Sequence, residues 1–351
     1  MTLGSLAKAD VTIPEEYKSG GYFVGCQAWT WNHFTVFEAI EKTAEAGGKV
    51  IEFFPGQKLS AEEPNIHWNE NASAETIQKV KAKLAVYHIK AVNYGVTGIS
   101  KDPAQARKLF EFAKALGLRA ITTESVDAID TFEPLVKEFD IMVGFHDHPK
   151  QANNPGYKMW DPNYVLSVVK NRDRRIGSCA DTGHWVRSGL KPVDCLRILK
   201  GHIISSHLKD LNAMSPEAHD VPFGFGVSDI AGILDELKHQ NFDGNISVEY
   251  EYEMDHSMPS VAQCIGFVRG YGEAKGGITH TTAMDNYDRL KLAIERMPDF
   301  SRGFKHFITT KVSLRVYSVI SYIREDNYWK CYYGTSDAPL FRSWHLKTNY
   351  Y

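Results

Sequence analysis

The stretch Cys179-Ala180-Asp181-Thr182-Gly183-His184 places an aspartate at the end of a short apolar run and a histidine three residues later. Other short apolar runs end in polar residues that can also bind a metal, namely His146, His207 and Glu249. Successive members of this set are separated by about the length of one strand-plus-helix unit. Because the ends of successive parallel strands converge on one mouth of a barrel, the pattern predicts a metal site in a barrel.

Short apolar runs alternate with amphipathic stretches along most of the chain. The apolar runs cover residues 22–29, 50–54, 91–96, 120–124, 141–146, 176–181, 203–209 and 246–251. Helical patterns cover residues 36–46, 74–87, 103–116, 162–170, 193–199 and 229–239, several of them opened by a capping residue or an early proline. Eight such runs predict an α/β fold, a (β/α)8 TIM barrel, rather than an open doubly wound sheet. A dinucleotide-binding fold would need a glycine-rich turn after the first strand, and the sequence at residues 25–29, GCQAW, is not glycine-rich.

The chain is predicted to have three segments: an N-terminal extension (1–20), a barrel that carries the catalytic site (21–277) and a C-terminal extension (278–351). A helix over residues 257–271 would already close the barrel. The stretch 304–351 is rich in tyrosine and tryptophan, which is unusual for a solvated linker. Packing on the barrel, packing on a partner subunit and absence of a selected fold remain alternatives for it, so a homo-oligomer stays open.

Composition excludes several classes of function. The chain has 351 residues and a formal net charge of -3, without a run of basic residues, so we expect no nucleic-acid partner. Five cysteines without CxxC spacing favour buried free thiols over a disulfide framework or a thiolate zinc site. The first 20 residues lack an apolar leader, and no apolar run is long enough to span a membrane. We therefore expect no membrane partner and a cytoplasmic protein, although an exported form whose leader is missing from this sequence stays open.

Strand parity predicts which side chains face the inside of the barrel, because alternate residues of a strand point to opposite faces. On this count His207 and Lys209 share the inner face of one strand, and Glu249 and Glu251 share the inner face of the next. The same count turns Glu124, His146 and His148 inward if no bulge intervenes. Glu52 is inward only if its register is simple, and we leave it out of the predicted site. An inner mouth rich in carboxylate and imidazole suits Mn, Co or Zn better than Ca.

At these residues the chain resembles the xylose-isomerase-like sugar phosphate isomerase/epimerase superfamily, over roughly residues 22–272. The motifs that carry the resemblance are Asp181-Thr182-Gly183-His184, His207-Leu208-Lys209-Asp210, Phe223-Gly224-Phe225-Gly226, Phe242-Asp243-Gly244 and Val248-Glu249-Tyr250-Glu251. The resemblance implies one divalent metal ion (Mn, Co or Zn) bound by Asp181, His207 and Glu249 together with a residue on strand five. At strand five the family often has Glu-Asn-His-Pro, whereas this chain has His146-Asp147-His148-Pro149. We predict His146 as the fourth ligand, with His148 as the alternative.

The resemblance implies a metal-dependent sugar isomerase or epimerase that abstracts a proton next to a carbonyl through a metal-stabilised enediolate. Glu249 is the predicted base, and His184 or Glu124 would return the proton on the other side. A small carbohydrate is the expected partner, and its predicted binding residues are Trp29, Lys209, His148 and Glu251. A glycosidic substrate with a 3-keto group, or an inosose, would make the enzyme a lyase or hydrolase. The non-enzyme alternative is a sugar-binding barrel, because His146 stands where the family has a glutamate.

Each of these residues also has a structural interpretation. Asp181 before Thr-Gly could simply form a turn, and His207 could be a satisfied core histidine. Glu249 and Glu251 could form a buried ion pair with Lys209, since burying them unpaired would be costly. Trp29 could equally pack in the core, and Glu124 could be an outer salt bridge.

Overall fold

The computed structural model describes residues 12–276, 321–325, 328–335 and 338–347. The contacts within the chain divide it into two compact units, Met1–Gly276 and Gly277–Tyr351. No described helix is both long enough and apolar enough to cross a membrane.

Eight parallel strands form a closed barrel in the first unit. They are β1 (Phe23–Gln27), β2 (Val50–Phe53), β3 (Lys90–Tyr94), β4 (Ala120–Thr123), β5 (Met142–His146), β6 (Ile176–Asp181), β7 (Ile203–Leu208) and β8 (Asn245–Val248). Each strand pairs in parallel with the next one along the chain, and β8 closes the barrel against β1. The predicted (β/α)8 barrel is therefore confirmed.

Helices connect the strands, and neighbouring helices contact each other around the barrel. They are α1 (Val36–Glu45), α2 (Ala74–Tyr87), α3 (Pro103–Leu116), α4 (Ile129–Phe139), α5 (Pro162–Val169), α6 (Thr182–Arg187), α7 (Pro192–Ile198), α8 (Ile230–His239) and α9 (Met258–Gly276). Local sequence explains where they begin. Thr35 and Glu38 form a capping box at α1, and Asp102 caps α3 just before its proline. Helices α4 and α6 lie outside the stretches predicted from the sequence.

Six of the eight strands end before the predicted runs do, and the differences at β1 and β8 affect predicted site residues at the barrel mouth. Strand β1 ends at Gln27, because the side-chain oxygen of Gln27 accepts the N–H of Trp29 and starts a turn of 3₁₀ helix over Ala28–Trp31. Strand β8 ends at Val248, so Glu249 and Glu251 lie on the segment that follows it. Trp29 and both glutamates thus belong to the connections at the mouth.

The inside of the barrel is polar, whereas the outer faces of the strands are apolar. Glu52 on β2 accepts hydroxyl hydrogen bonds from Thr122 on β4 (2.8 Å) and from Ser247 on β8 (3.1 Å). Since these strands lie on different sides of the barrel, this network crosses its interior. Ile51 and Ile121, the neighbours of Glu52 and Thr122, are fully buried in the main hydrophobic core.

The amino-terminal end of the barrel is covered by residues that precede β1. Ile13 is only 3% exposed and packs in a small apolar cluster with Phe23, Val50 and Val92, partly covered by Tyr17. Part of the segment predicted as an N-terminal extension therefore packs against the barrel.

Asp210 fixes the loop between β7 and α8. Its carboxylate accepts backbone N–H hydrogen bonds from Gly224 (2.8 Å), Gly226 (3.0 Å) and Ser228 (3.0 Å). A β-carbon on residue 226 would lie 2.2 Å from Asp210 Oδ1, so only glycine allows this approach. The glycine-containing loop is held in one conformation by a side chain of the protein itself.

The second unit contains a three-stranded antiparallel sheet. Its strands are β9 (Ser321–Glu325), β10 (Tyr328–Thr335) and β11 (Ala338–Lys347), with β10 in the middle. From the sequence we left open whether the aromatic side chains of residues 304–351 pack on the barrel or on a partner subunit. The structure does not describe those side chains, so both alternatives remain untested.

Candidate active site

The four predicted metal ligands lie at the carboxyl ends of neighbouring strands. Asp181 ends β6 and is paired in register with His207 on β7. His207 is in turn level with Ser247 on β8, two residues before Glu249. His146 is the last residue of β5. The barrel therefore brings the four side chains to one mouth, as the spacing in the sequence predicts.

Asp181 is the centre of this group. Its Oδ1 atom accepts the N–H of His184 (2.9 Å) and so caps α6, while its own N–H donates to Asp147 (2.9 Å). The other oxygen, Oδ2, lies 3.5 Å from His146 Nε2 and 3.9 Å from His207 Nδ1. The turn-forming and metal-binding interpretations of Asp181 are thus compatible, because each uses a different oxygen.

Lys209 places a positive charge among the carboxylates. Its Nζ atom lies 3.2 Å from Asp181 Oδ2, 2.8 Å from Glu249 Oε2 and 2.6 Å from Glu251 Oε2. The lysine side chain is fully buried and passes Gly183, where a β-carbon would lie 2.7 Å from it. Burial opposes the charge on Lys209, but Asp181 and Glu249 outweigh that effect and hold its pKa well above the usual value.

Glu249 stays ionised because positively charged side chains lie next to it. Burial raises its pKa, but the charges of Lys209 and His207 outweigh burial and hold the pKa well below the usual value. The carboxylate lies 3.3 Å from His207 Nδ1 through its Oε2 atom. A buried, ionised carboxylate in contact with an imidazole can serve as a metal ligand or as a base.

His207 faces two carboxylates through its two ring nitrogens. Its Nδ1 atom faces Glu249, and its Nε2 atom lies 3.1 Å from Glu52 Oε2 inside the barrel. His207 also forms a group of candidate ligands with Glu52 and Cys179, whereas His184 forms a group with His146, Asp181 and Glu249. Both His207 and His184 must therefore be considered as the second imidazole ligand.

The contacts of His184 indicate that its protonated ring nitrogen, Nε2, is the one that faces the cluster around Asp181. Arg187 NH1 lies 3.3 Å from His184 Nδ1. Arginine can only donate hydrogen bonds, so Nδ1 accepts and the proton of the neutral ring lies on Nε2, which is 3.6 Å from Asp181 Oδ2. Burial, with the charge of Lys209 added, holds the pKa of His184 well below the usual value although Asp181 opposes this. His184 is thus neutral and poorly placed to ligate a metal through Nε2.

Glu124 and His148 form the outer edge of the site. Glu124 Oε1 accepts a hydrogen bond from the Tyr157 hydroxyl (2.8 Å), contacts His148 Nδ1 at 2.5 Å and lies 3.6 Å from His146 Nδ1. Burial opposes ionisation of Glu124, but His146 and His148 outweigh it and hold the pKa well below the usual value. The His148 ring is about half exposed and stacks on His184, with 5.1 Å between the ring centroids.

The remaining predicted substrate contacts differ in their surroundings. Glu251 contacts Lys209 and lies 3.3 Å from Arg187 NH1 at the mouth. Trp29 is 41% exposed and packs edge-on against Phe54, so it is not a core residue. Within the described part of the chain, no hydrogen bond or ring contact links Trp29 to the cluster around Asp181.

Sequence reasoning missed several residues that contact the cluster. Arg187 lies one helical turn after His184, a spacing that could have been noticed, and it pairs with Asp220 (3.4 Å). Burial raises the pKa of Asp220 to about 7, although Lys209 and Arg187 oppose this. Tyr157 lies in the long loop after β5, and no sequence pattern gave its position.

The cluster contains buried polar atoms that need a partner. Both ring nitrogens of His146 and of His207 are buried and have no hydrogen-bond partner of good geometry among the described residues, and Asp181 Oδ2 has only its ionic contact with Lys209 at 3.2 Å. Leaving such atoms unsatisfied is costly, and groups of this kind in native proteins have a specific reason. A mixed set of imidazole nitrogens and carboxylate oxygens fits a divalent ion such as Mn, Co or Zn.

Comparison with known proteins supports the barrel fold of the first unit. Residues 40–269 match the family model described as "Xylose isomerase-like TIM barrel". None of the curated proteins matches the chain.

Solved structures share the architecture of the first unit. A protein of unassigned function from Parabacteroides distasonis is 29% identical, with a TM-score of 0.58 over 71% of this chain and 98% of that chain. A D-tagatose 3-epimerase-like protein is 16% identical, with a TM-score of 0.56 over 72% of this chain and 97% of that chain. D-allulose 3-epimerase from Methylomonas sp. is 16% identical, with a TM-score of 0.54 over 71% of this chain and 98% of that chain. At 16% identity the two epimerase-type structures show a common fold.

Proposed function

The chain belongs to the family of xylose isomerase-like TIM barrels, and on this premise we propose that it is a metal-dependent sugar isomerase or epimerase. The observation that carries the proposal is the convergence of buried imidazole and carboxylate groups at the carboxyl ends of β5 to β8, where the imidazole nitrogens have no hydrogen-bond partner of good geometry among the described residues. Active sites of TIM-barrel enzymes lie at this end of the barrel. The substrate is a small carbohydrate with a carbonyl group.

We assign four residues as metal ligands: His146, Asp181, His207 and Glu249. We choose His207 over His184 because Arg187 directs the proton of His184 to the nitrogen that faces the cluster. A divalent ion bound there supplies Lewis acidity to neighbouring hydroxyl and carbonyl oxygens of a substrate, and it makes the C–H between them more acidic.

Glu249 and His184 are assigned to the two proton transfers of the reaction. Glu249 is held ionised beside Lys209, so it can accept the proton from the carbon next to the carbonyl. His184 carries a proton on Nε2 and can return it. Glu124 is held ionised by two histidines, so it is better suited to accept a proton than to donate one.

Four further residues are proposed to hold the sugar. Lys209 and Glu251 form a charged pair that can bind hydroxyl or carbonyl oxygens, and His148 presents a half-exposed ring at the mouth. Trp29 offers an exposed indole that could stack on the C–H face of a sugar. Because the mouth is composed of these polar and aromatic groups, it suits a polyhydroxylated substrate.

A lyase that acts on a 3-keto-glycoside is the second candidate, and the asymmetry of the site favours it. A two-base epimerase needs equivalent groups on both faces of the reacting carbon, whereas this site pairs the carboxylate of Glu249 with the neutral imidazole of His184. Elimination requires one base that removes a proton and one acid that protonates the leaving group. Glu249 and His184 match these two roles.

Solvent deuterium exchange tests the proposal. Aldoses, ketoses, inososes and 3-keto-glycosides would be incubated with the protein and Mn, Co or Zn in deuterated water. We expect deuterium at the carbon next to the carbonyl for one of these classes, and loss of that exchange in Glu249→Gln. Loss of a β-substituent together with exchange would identify the lyase.

His184→Ala provides the matched comparison, because it should reduce turnover far more than metal content. Absence of both deuterium and product with all substrate classes would contradict an enzyme and favour a sugar-binding barrel. Product without solvent deuterium, once a shielded transfer by one base is excluded, would indicate a hydride shift instead.

A further inference from the structure

Glu52 lies on the inner face of β2, below the proposed metal site, and neither its position in the sequence nor the predicted ligand set gave it a role. Its side chain is fully buried. A buried carboxylate is costly unless a positive group or hydrogen-bond donors neutralise it. Glu52 receives hydroxyl hydrogen bonds from Thr122 and Ser247, and the His207 ring is the group that faces it with an N–H or a positive charge.

The two nitrogens of His207 face in opposite directions. Nε2 is 3.1 Å from Glu52 Oε2 inside the barrel, and Nδ1 is 3.3 Å from Glu249 Oε2 at the mouth. An imidazole that binds a metal through one nitrogen is neutral and carries its proton on the other nitrogen only. If that proton is on Nε2 and points to Glu52, the lone pair on Nδ1 is directed at Glu249 and Asp181.

His146 shows a similar arrangement with the nitrogens exchanged. Its Nδ1 atom is 3.6 Å from Glu124 Oε1, and its Nε2 atom is 3.5 Å from Asp181 Oδ2. Each proposed imidazole ligand therefore has one nitrogen toward the cluster and the other toward a carboxylate outside the set of four ligands. Carboxylates in this position fix the tautomer and the ring orientation of metal-binding histidines in general.

We propose that Glu52 is a positioning residue that holds the His207 proton on Nε2 and thereby presents Nδ1 as the metal-binding nitrogen. The inference rests on the proposed metal site. It also explains why a carboxylate lies so deep in the barrel, and why two hydroxyls from other strands fix both of its oxygens. Cys179 lies in the same group of candidate ligands, but Glu52 already accepts two hydroxyl hydrogen bonds, so a positioning role fits better than a second metal site.

The first experiment compares metal affinities. Zinc would be titrated into the metal-free full chain against a chelator of known affinity, for the wild type and for Glu52→Gln. We expect Glu52→Gln to weaken zinc binding by roughly 10-fold to 100-fold, the range typical of carboxylates that orient ligating histidines. Ser247→Ala and Thr122→Val are matched controls, because each removes a hydroxyl bonded to Glu52 and leaves the carboxylate facing His207. We expect these controls to bind zinc nearly as tightly as the wild type.

The second experiment needs no substitution at Glu52, so it remains valid if Glu52→Gln does not fold. The zinc-loaded wild type, labelled with ¹⁵N in its histidines, would be studied by NMR, and His207→Gln would identify the His207 signals. We expect a protonated Nε2 and a metal-bound Nδ1 on His207. This experiment tests which nitrogen of His207 faces Glu52 with its proton, while the comparison of metal affinities tests how much Glu52 contributes.

The outcomes separate this inference from the proposed function. A wild type that binds no divalent metal would overturn both. A wild type that binds one zinc ion, with unchanged affinity in Glu52→Gln or with the proton of His207 on Nδ1, would overturn the role of Glu52 alone. Binding of two zinc ions per barrel, with the second lost in Glu52→Gln and Cys179→Ala, would replace it with a second metal site.

Discussion

Replacing Lys209 by methionine should destabilise the metal-free protein strongly and should be tolerated much better when metal is present. The Lys209 ammonium is fully buried and lies within 3.2 Å of three carboxylates. Methionine fills a similar volume but leaves Asp181 and Glu249 buried without this positive charge. Removing one partner of a buried ion pair costs about 3–5 kcal/mol. For a domain of this size each kcal/mol lowers Tm by roughly 2–4 °C, so we expect a loss of about 6–20 °C.

Thermal unfolding followed by circular dichroism would be measured in chelator and again with saturating Mn or Zn. A divalent ion would supply positive charge to the same oxygens of Asp181 and Glu249, so metal should raise Tm more in Lys209→Met than in the wild type. Lys150→Met is the matched control, because the Lys150 ammonium lies 4.9 Å from the Trp160 ring rather than among buried carboxylates. An unchanged Tm of Lys209→Met in chelator would refute the reasoning. So would an equal stabilisation of variant and wild type by metal.

Three further predictions concern the fourth ligand, the second unit and the cysteines. His146→Ala should weaken metal binding by at least roughly 10-fold and His148→Ala by much less, measured by elemental analysis and chelator competition; the reverse order would make His148 the ligand. A chain that ends at Gly277 should remain folded and keep its metal, because the strands and α9 are complete without the second unit; an insoluble product, or one with a much lower Tm, would contradict the predicted boundary. Burial raises the pKa of Cys26 to about 12, so its thiol stays protonated in the folded state well above pH 9, and its contribution to stability falls as the pH rises from about 9 toward 12. Alkylation at pH 8 followed by peptide mass spectrometry should therefore leave Cys26, Cys195 and Cys264 unmodified until the protein is unfolded, and rapid labelling of Cys26 in the folded protein would contradict its burial.

The barrel and the meeting of His146, Asp181, His207 and Glu249 could be predicted because both depend on local regularities. Apolar runs of strand length mark the strands, and the end of each run marks the mouth. Parallel strands then bring their ends together without any knowledge of side-chain packing. The register pairs of Asp181 with His207 and of His207 with Ser247 follow that logic.

The inward position of Glu52 agrees with simple alternation along β2, because the register shift between Ile51 and Glu52 places its extra residue, Val92, on β3. What counting along one strand could not give is the partner of Glu52, since His207 reaches it from β7 across the inside of the barrel. A similar shift separates Ser178 from Cys179 in the pairing of β6 with β7. Tyr157 was missed for another reason, since it reaches Glu124 from a long loop whose path depends on tertiary contacts.

The hydrogen bonds of Asp210 have a consequence for the recognition of anions at the loop between β7 and α8. Backbone N–H groups of a glycine-containing loop beside strand seven are a common cradle for phosphate in TIM barrels. Here the N–H groups of Gly224, Gly226 and Ser228 already point to a carboxylate from the same chain. A phosphoryl group on the substrate would have to displace an anion that is covalently part of the protein. The loop therefore resembles an anion-binding loop in sequence while its anion is built in, and these three N–H groups are not free to bind a phosphoryl group.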